Sequence, residues 1–130
     1  MRIQNWPRVL DEYVQAARCR PFAWGAHDCC TFAAGAVQAI TGRAVALPAY
    51  VGVRQALRAL QARGGLLAAV RGQLGPMQAP ARARRGDVLL LWQAGRDVLA
   101  VNLGHAWAAP GAQGLVFGPA AEAVAAWRVD

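Results

Sequence analysis

The sequence predicts an α+β domain in which N-terminal helices pack on a C-terminal antiparallel sheet of about five strands. Apolar residues recur at helical spacing up to about residue 73, and from "RRGDVLLLW" (84–92) onward short apolar runs alternate with Gly, Pro, Asn and Asp. Helices followed by a meander of strands are typical of this class. At 130 residues, 56% hydrophobic and 16% charged, the chain suits a single domain over 1–130.

Four helices are predicted from apolar spacing and from their cap residues. Asn5 can cap the first helix, with Pro7 in its first turn, and Asp28 is a good N-cap for the second helix. The predicted spans are 6–18, from Asp28 to near Thr41 with Gly42 as the stop, from about 51 to the Gly64–Gly65 pair, and 66–73.

The second half of the chain is predicted to form strands. The predicted strands are 87–92, 98–103, 105–109, 114–117 and one near 124–129. The irregular stretch "GPMQAPARARRG" (75–86) is expected to cross the surface between the helical half and the sheet.

Composition excludes several classes of function. No apolar run approaches the ~20 residues that span a bilayer, and the N-terminus lacks the apolar block of a secretion signal, so we expect neither a membrane span nor export by that route. The net charge is +7, but no aromatic residues interleave with "ARARR" (81–85) or with Arg54 and Arg58. These arginines therefore indicate a solvated face, or alternatively an anionic partner, and a platform for nucleic acid is not expected.

The chain has three cysteines, Cys19, Cys29 and Cys30. Their odd number and the adjacency of two of them indicate reduced thiols, and without paired metal-ligand spacing we expect neither a metal nor a cofactor. A thiol at a helix N-terminus can have a lowered pKa, and Cys29 shares its helical face with the residues that must be buried. The alternative is that Cys29 is a small core residue, since the negative charge of Asp28 opposes thiolate formation.

Three segments together resemble the NlpC-like branch of the papain-fold cysteine hydrolases. They are "PFAWGAHDCC" opening a helix, "ARRGDVLLL" opening the sheet, and "LAVNLG" on the next strand. More narrowly, the chain is similar to small phage-encoded tail proteins of that fold, over nearly its whole length. The resemblance implies an NlpC-like papain fold with Cys29 in the position of the nucleophile.

The resemblance also shows what is missing from the catalytic set. The base should be a histidine opening the second strand, where this chain has Val98, and the orienting residue falls near Ala108 or Ala109, which are apolar. Only His27 and His105 remain. We expect His27 to be a loop residue hydrogen-bonded to backbone, and His105 is retained as a possible displaced base.

Two functions follow from the resemblance. The first is a structural or assembly component of a phage or prophage tail, on an inactive NlpC-like scaffold, which docks other tail proteins in the host cytoplasm and remains in the virion tail. The alternative is an active cysteine hydrolase that cuts peptidoglycan stem peptides with Cys29. The missing histidine favours the first function and predicts that Val98 faces Cys29 and that Cys29 titrates as an ordinary or buried thiol.

The five tryptophans are expected to contribute mainly to packing. Trp24 can be a core plug or one wall of a substrate cleft, and the plug is favoured. The other four are predicted to be packing residues, or interface anchors if exposed. Because so apolar a chain exceeds what one small core can hide, we also expect an exposed apolar patch bordered by arginines, with Arg54, Arg58 and 81–85 as candidates.

Overall fold

A computed structural model describes residues 1–47 and 50–130, with four helices followed by five strands. The helices are α1 (Trp6–Ala17), α2 (Cys29–Thr41), α3 (Gly52–Gln61) and α4 (Leu66–Leu74). The strands are β1 (Val88–Gln93), β2 (Arg96–Asn102), β3 (Ala106–Gly111), β4 (Gly114–Pro119) and β5 (Ala125–Trp127). Single 3₁₀ turns at Pro80–Arg82 and Ala120–Glu122 lie between them. The predicted α+β class is confirmed.

The bounds of α2 follow the cap residues of the sequence closely. The Asp28 carboxylate accepts a hydrogen bond from the Thr31 N–H, and the Thr31 hydroxyl accepts one from the Asp28 N–H, which forms a capping box. Gly42 ends the helix in the left-handed conformation at φ 73°. At α1, by contrast, Asn5 occupies the N-cap position but its side chain makes no capping hydrogen bond.

The five strands form one antiparallel sheet in the order β4-β3-β2-β1-β5. Strands β1 to β4 form a meander, and β5 returns to pair with the free edge of β1, with Val88 opposite Trp127. On one face, Leu90, Leu99 and Val101 pack in the main core with α1 and α2. The main core therefore lies between this face and the two long helices.

The opposite face of the sheet carries a second, smaller apolar cluster. Its members include Leu89, Leu91, Ala100 and Trp107, with Val98 packed against them. Side chains of a strand alternate between the two faces, so the odd-numbered residues of β2 point toward α2 and the even-numbered ones point away. This alternation decides which β2 residue can face the thiols.

The "GD" dipeptide that opens the sheet has a structural role. Asp87 is buried, and its carboxylate accepts hydrogen bonds from the Arg2 guanidinium (2.8 Å), the Arg84 N–H (2.8 Å) and the Val129 N–H (3.0 Å). Gly86 has φ +92°, and a Cβ there would lie 2.9 Å from Arg2 Nη1. Both ends of the chain are thereby tied to the start of β1.

The tryptophans divide between packing and surface positions. Trp107 and Trp127 are buried and Trp6 packs against the main core, as predicted. Trp92 is 62% exposed. Trp24 is half-buried and lines a cavity, so its position fits the cleft-wall alternative rather than the favoured core plug.

Part of the predicted basic run is neutralised within the chain. Arg84 pairs with Asp130, and Arg85 pairs with Asp11. Within residues 1–47 and 50–130, no helix combines the length and apolarity that crossing a membrane requires.

Candidate functional site

The first turn of α2 places two adjacent thiols directly after a buried carboxylate. Asp28 is only 1% exposed, and besides the Thr31 N–H its carboxylate accepts hydrogen bonds from the Gly25 N–H (2.9 Å) and the Tyr50 hydroxyl (2.5 Å). Cys29 and Cys30 follow as the first two residues of the helix. Because three donors already surround the Asp28 carboxylate, its role is to position the helix rather than to move protons.

Both thiols line a cavity of about 380 Å³. Its other walls come from α3, α4, the residues before α3 and the start of β2, and they are mostly apolar. Representative apolar lining residues are Trp24, Val37, Val45, Leu57, Leu60, Leu66 and Leu99. A cavity of this size, with few polar groups, has the general form of a ligand-binding pocket.

The two cysteines shift each other's pKa in opposite directions. Cys30 donates a hydrogen bond to the Cys29 sulfur, which lowers the pKa of Cys29, although burial and the charge of Asp28 oppose ionisation. The Leu99 N–H and Arg96 lower the pKa of Cys29 further. Donating that hydrogen bond, together with burial, raises the pKa of Cys30. Sequence reasoning anticipated the effect of Asp28 but missed Cys30 as the donor, so the pKa of Cys29 moves opposite to expectation.

The strand residue that faces Cys29 is Leu99, and the prediction of Val98 is wrong. Strand β2 begins at Arg96, and Leu99 pairs with Leu90 on the face that α2 covers. Val98 borders the cavity but packs against the cluster on the other face. Leu99 offers an apolar side chain, so an alkyl group and not a base stands beside the thiol. Ala108 shares this face and is fully buried.

Neither histidine lines the cavity. His27 is 3% exposed and packs edge-on against Phe32, with ring centroids 5.8 Å apart. Its backbone pairs with Ala23, but its Nε2 has no hydrogen-bond partner, so the prediction of a hydrogen-bonded loop residue holds only for the main chain. Burial lowers the pKa of His27.

His105 lies in the exposed turn between β2 and β3. This turn follows Asn102 at one end of β2, whereas the residues of β2 that border the cavity begin at Arg96 at the other end. The structure therefore does not bring His105 to Cys29, and the displaced base is not formed.

Tyr50 is the site residue that sequence reasoning missed. It lies 22 positions beyond Asp28, in the connection before α3, and borders the cavity. Burial, and then the hydrogen bond to Asp28, raise the pKa of Tyr50, so its hydroxyl stays protonated. No local pattern marks a tyrosine in a loop as the partner of a distant helix cap.

Together the fold and the site define an α+β domain with a carboxylate-capped thiol helix packed against an antiparallel sheet. Residues 1–129 match the family described as "Domain of unknown function (DUF6950)", and the chain belongs to that family. No curated protein and no solved structure matches the chain. Among the described residues, His, Cys, Asp and Glu side chains do not gather in threes that could hold a metal ion.

Proposed function

We propose that the protein is a non-catalytic scaffold with an NlpC-like papain fold that docks other proteins in the tail of a phage or prophage. The observation that carries the proposal is the apolar Leu99 beside Cys29, where a papain-type hydrolase needs an imidazole. The thiol helix packed on an antiparallel sheet, with a meander leading from the "GD" turn, supports the same fold assignment. Assembly would take place in the host cytoplasm and leave the protein in the virion tail.

The chemistry of amide cleavage explains why the thiol alone is insufficient. A thiolate can attack a carbonyl, but the leaving amine must then receive a proton from a general acid, a contribution of roughly 10²–10⁴-fold in rate. Asp28 is occupied by its three donors, and the Tyr50 hydroxyl is committed to Asp28. Neither Asp28 nor Tyr50 is thus free to shuttle a proton, and the raised pKa of Cys30 makes its thiol a poor general acid.

Several exposed apolar side chains support docking as the mode of action. Trp92 and Phe117 are exposed at different places on the helix-facing side of the sheet, and α3 exposes Val53 and Leu57. Contiguous apolar patches usually mark contacts with partners, whereas single exposed apolar side chains are common on any protein surface, so the support comes mainly from the two neighbouring side chains of α3. The predicted apolar patch bordered by arginines corresponds to α3.

A complementation experiment tests the proposal. A phage or prophage that encodes this chain and carries a deletion of its gene is supplied with wild type, Cys29→Ala, Cys19→Ala as the cysteine control, or Trp127→Ala as the folding control. We expect equal numbers of tailed, infectious particles from the first three, and none from Trp127→Ala because its indole is fully buried in the core. Loss of particles with Cys29→Ala alone, with the variant folded, would reject the scaffold function.

The second candidate function is cysteine hydrolysis of peptidoglycan stem peptides. One observation favours it, the lowered pKa of Cys29 at a helix N-terminus that borders a cavity. The purified chain is incubated with peptidoglycan and the released muropeptides are measured. Release that disappears in Cys29→Ala would support this candidate, whereas the scaffold function expects no Cys29-dependent release.

A further inference from the structure

Helix α3 has an apolar stripe that the rest of the chain leaves uncovered. Only Ala56 is buried on this helix, while Val53 is 48% and Leu57 is 56% exposed. These two residues are four positions apart and therefore lie on the same side of the helix. Leu57 also lines the cavity, so the stripe continues directly into the apolar space above Cys29 and Cys30.

Cations border this stripe and the cavity. Arg54 and Arg58 directly follow Val53 and Leu57 and form a parallel row on α3, and Arg96 lines the cavity from β2. In the part of the chain that the structure describes, none of these three arginines pairs with a carboxylate. The rim thus combines exposed apolar side chains with three arginines that form no ion pair among the described residues, although the Asp97 carboxylate also lines the cavity next to Arg96.

We propose that the cavity and the Val53–Leu57 stripe form a docking groove for a segment of another polypeptide that carries both apolar side chains and carboxylates. The apolar side chains would enter the cavity above Cys29, and the carboxylates would pair with Arg54, Arg58 and Arg96. The inference rests on the proposed docking function and names the chemistry of its partner.

The spacing of the cations favours a polypeptide over an amphiphile with one head group. Arg54 and Arg58 are about 6 Å apart along α3 at about 1.5 Å per residue, and Arg96 belongs to a different wall of the cavity. An amphiphile offers one head group, whereas a peptide can present one acidic residue to the Arg54–Arg58 pair and another to Arg96. The groove therefore matches a segment with several acids.

The cysteines allow occupancy of the groove to be measured. Cys29 and Cys30 line the cavity, whereas Cys19 is exposed and outside it. A segment seated in the groove should slow alkylation of the two cavity thiols and leave Cys19 unchanged. Cys19 thus serves as a reference inside the same molecule.

The test is a selection of random dodecapeptides on the immobilised full chain, followed by affinity and alkylation measurements. We expect the enriched peptides to combine Leu, Ile or Phe with Asp or Glu and to slow alkylation of Cys29 and Cys30. The single variant Leu57→Ser should weaken binding about tenfold or more. The double variant that combines Arg54→Glu and Arg58→Glu should do the same. Arg18→Glu with Arg82→Glu is the charge-matched control outside the groove and should bind as wild type.

Other outcomes would overturn the inference. These are the absence of enrichment, enrichment of basic or purely polar peptides, and binding that the groove variants leave unchanged. Protection of the thiols by dodecanoate but by no peptide would identify a lipid-like ligand and would also reject the polypeptide groove.

Mass spectrometry of the recovered peptides separates this inference from the proposed function. Intact, bound peptides support both. Cleavage that requires Cys29 would reject the scaffold function while leaving the groove as a peptide site. If peptides are neither bound nor cleaved while Cys29→Ala complements normally, the docking groove is rejected and the scaffold function is not.

Discussion

Replacement of Asp28 should lower the free energy of unfolding of the domain, by an amount that can be worked out from the hydrogen bonds of its carboxylate. In Asp28→Ala the α2 cap is lost, at about 1 kcal/mol, and the Gly25 N–H and the Tyr50 hydroxyl lose a charged acceptor. Hydrogen bonds to charged groups contribute roughly 1.5–3 kcal/mol each, and because the three share one carboxylate they do not add fully. We therefore expect a loss of about 3–4 kcal/mol, a large part of the ~5–15 kcal/mol that stabilises a typical domain.

The conservative variant Asp28→Asn separates the cap from the charge. Asparagine is as good a helix cap as aspartate, but with its oxygen on the Thr31 N–H its amide NH₂ would face both the Gly25 N–H and the Tyr50 hydroxyl, which now donate to the other carboxylate oxygen. A loss of roughly 1–2 kcal/mol is expected, less than for alanine. The exposed Asp11, which pairs with Arg85, is the matched control, and Asp11→Ala should cost less than about 1 kcal/mol.

Urea unfolding followed by tryptophan fluorescence measures all three variants. The midpoint should fall in the order Asp11→Ala, Asp28→Asn, Asp28→Ala, with an unchanged dependence on urea concentration. The prediction would be refuted if Asp28→Ala lowered the free energy of unfolding no more than Asp11→Ala does. It would also be refuted if the asparagine variant were as unstable as the alanine variant, because the hydrogen bonds around Asp28 would then not stabilise the domain as expected.

Three further predictions concern the thiol and the histidines. Cys30→Ala removes the donor that lowers the pKa of Cys29, so iodoacetamide labelling of Cys29 at neutral pH should slow, and an unchanged pH–rate profile would contradict this. His27 has a lowered pKa in the fold, so the unfolded chain binds its proton more readily, and the free energy of unfolding should fall as pH drops below about 6.5. Urea titrations should find this loss reduced in His27→Phe. An equal loss in the variant and in wild type would disprove the prediction. Leu99→His should accelerate labelling of Cys29 at neutral pH by placing an imidazole on the face toward α2, whereas Val98→His should not, and the reverse order would restore Val98 as the facing residue.

The thiol site combines a lowered pKa of Cys29 with apolar surroundings. The Cys30 hydrogen bond and the Leu99 N–H stabilise a thiolate at Cys29, yet the adjacent strand residue is an alkyl group. A lowered thiol pKa by itself does not define an enzyme, because the proton of the leaving group must also be supplied. The same cavity is suited to accept apolar side chains, which is the property that the proposed docking groove would use.

Local signals in the sequence determined most of the secondary structure. Asp28 and Gly42 predicted both ends of α2, because capping bonds form between residues at most a few positions apart. The short apolar runs separated by turn residues predicted all five strands, with ends that differ from the structure by at most two residues. The buried face of α2, including Phe32, Ala33 and Ile40, also followed from spacing alone.

The tertiary structure alone decided what surrounds Cys29. The resemblance pointed to Val98, but the register of β2 puts Leu99 on the face that α2 covers, and because neighbouring strand residues point to opposite faces, a difference of one position exchanged Val98 for Leu99. The contact between Tyr50 and Asp28 joins residues 22 positions apart, and the uncovered stripe of α3 depends on where α4 and the sheet leave it open. Such features arise from strand register and long-range packing, which local propensity does not encode.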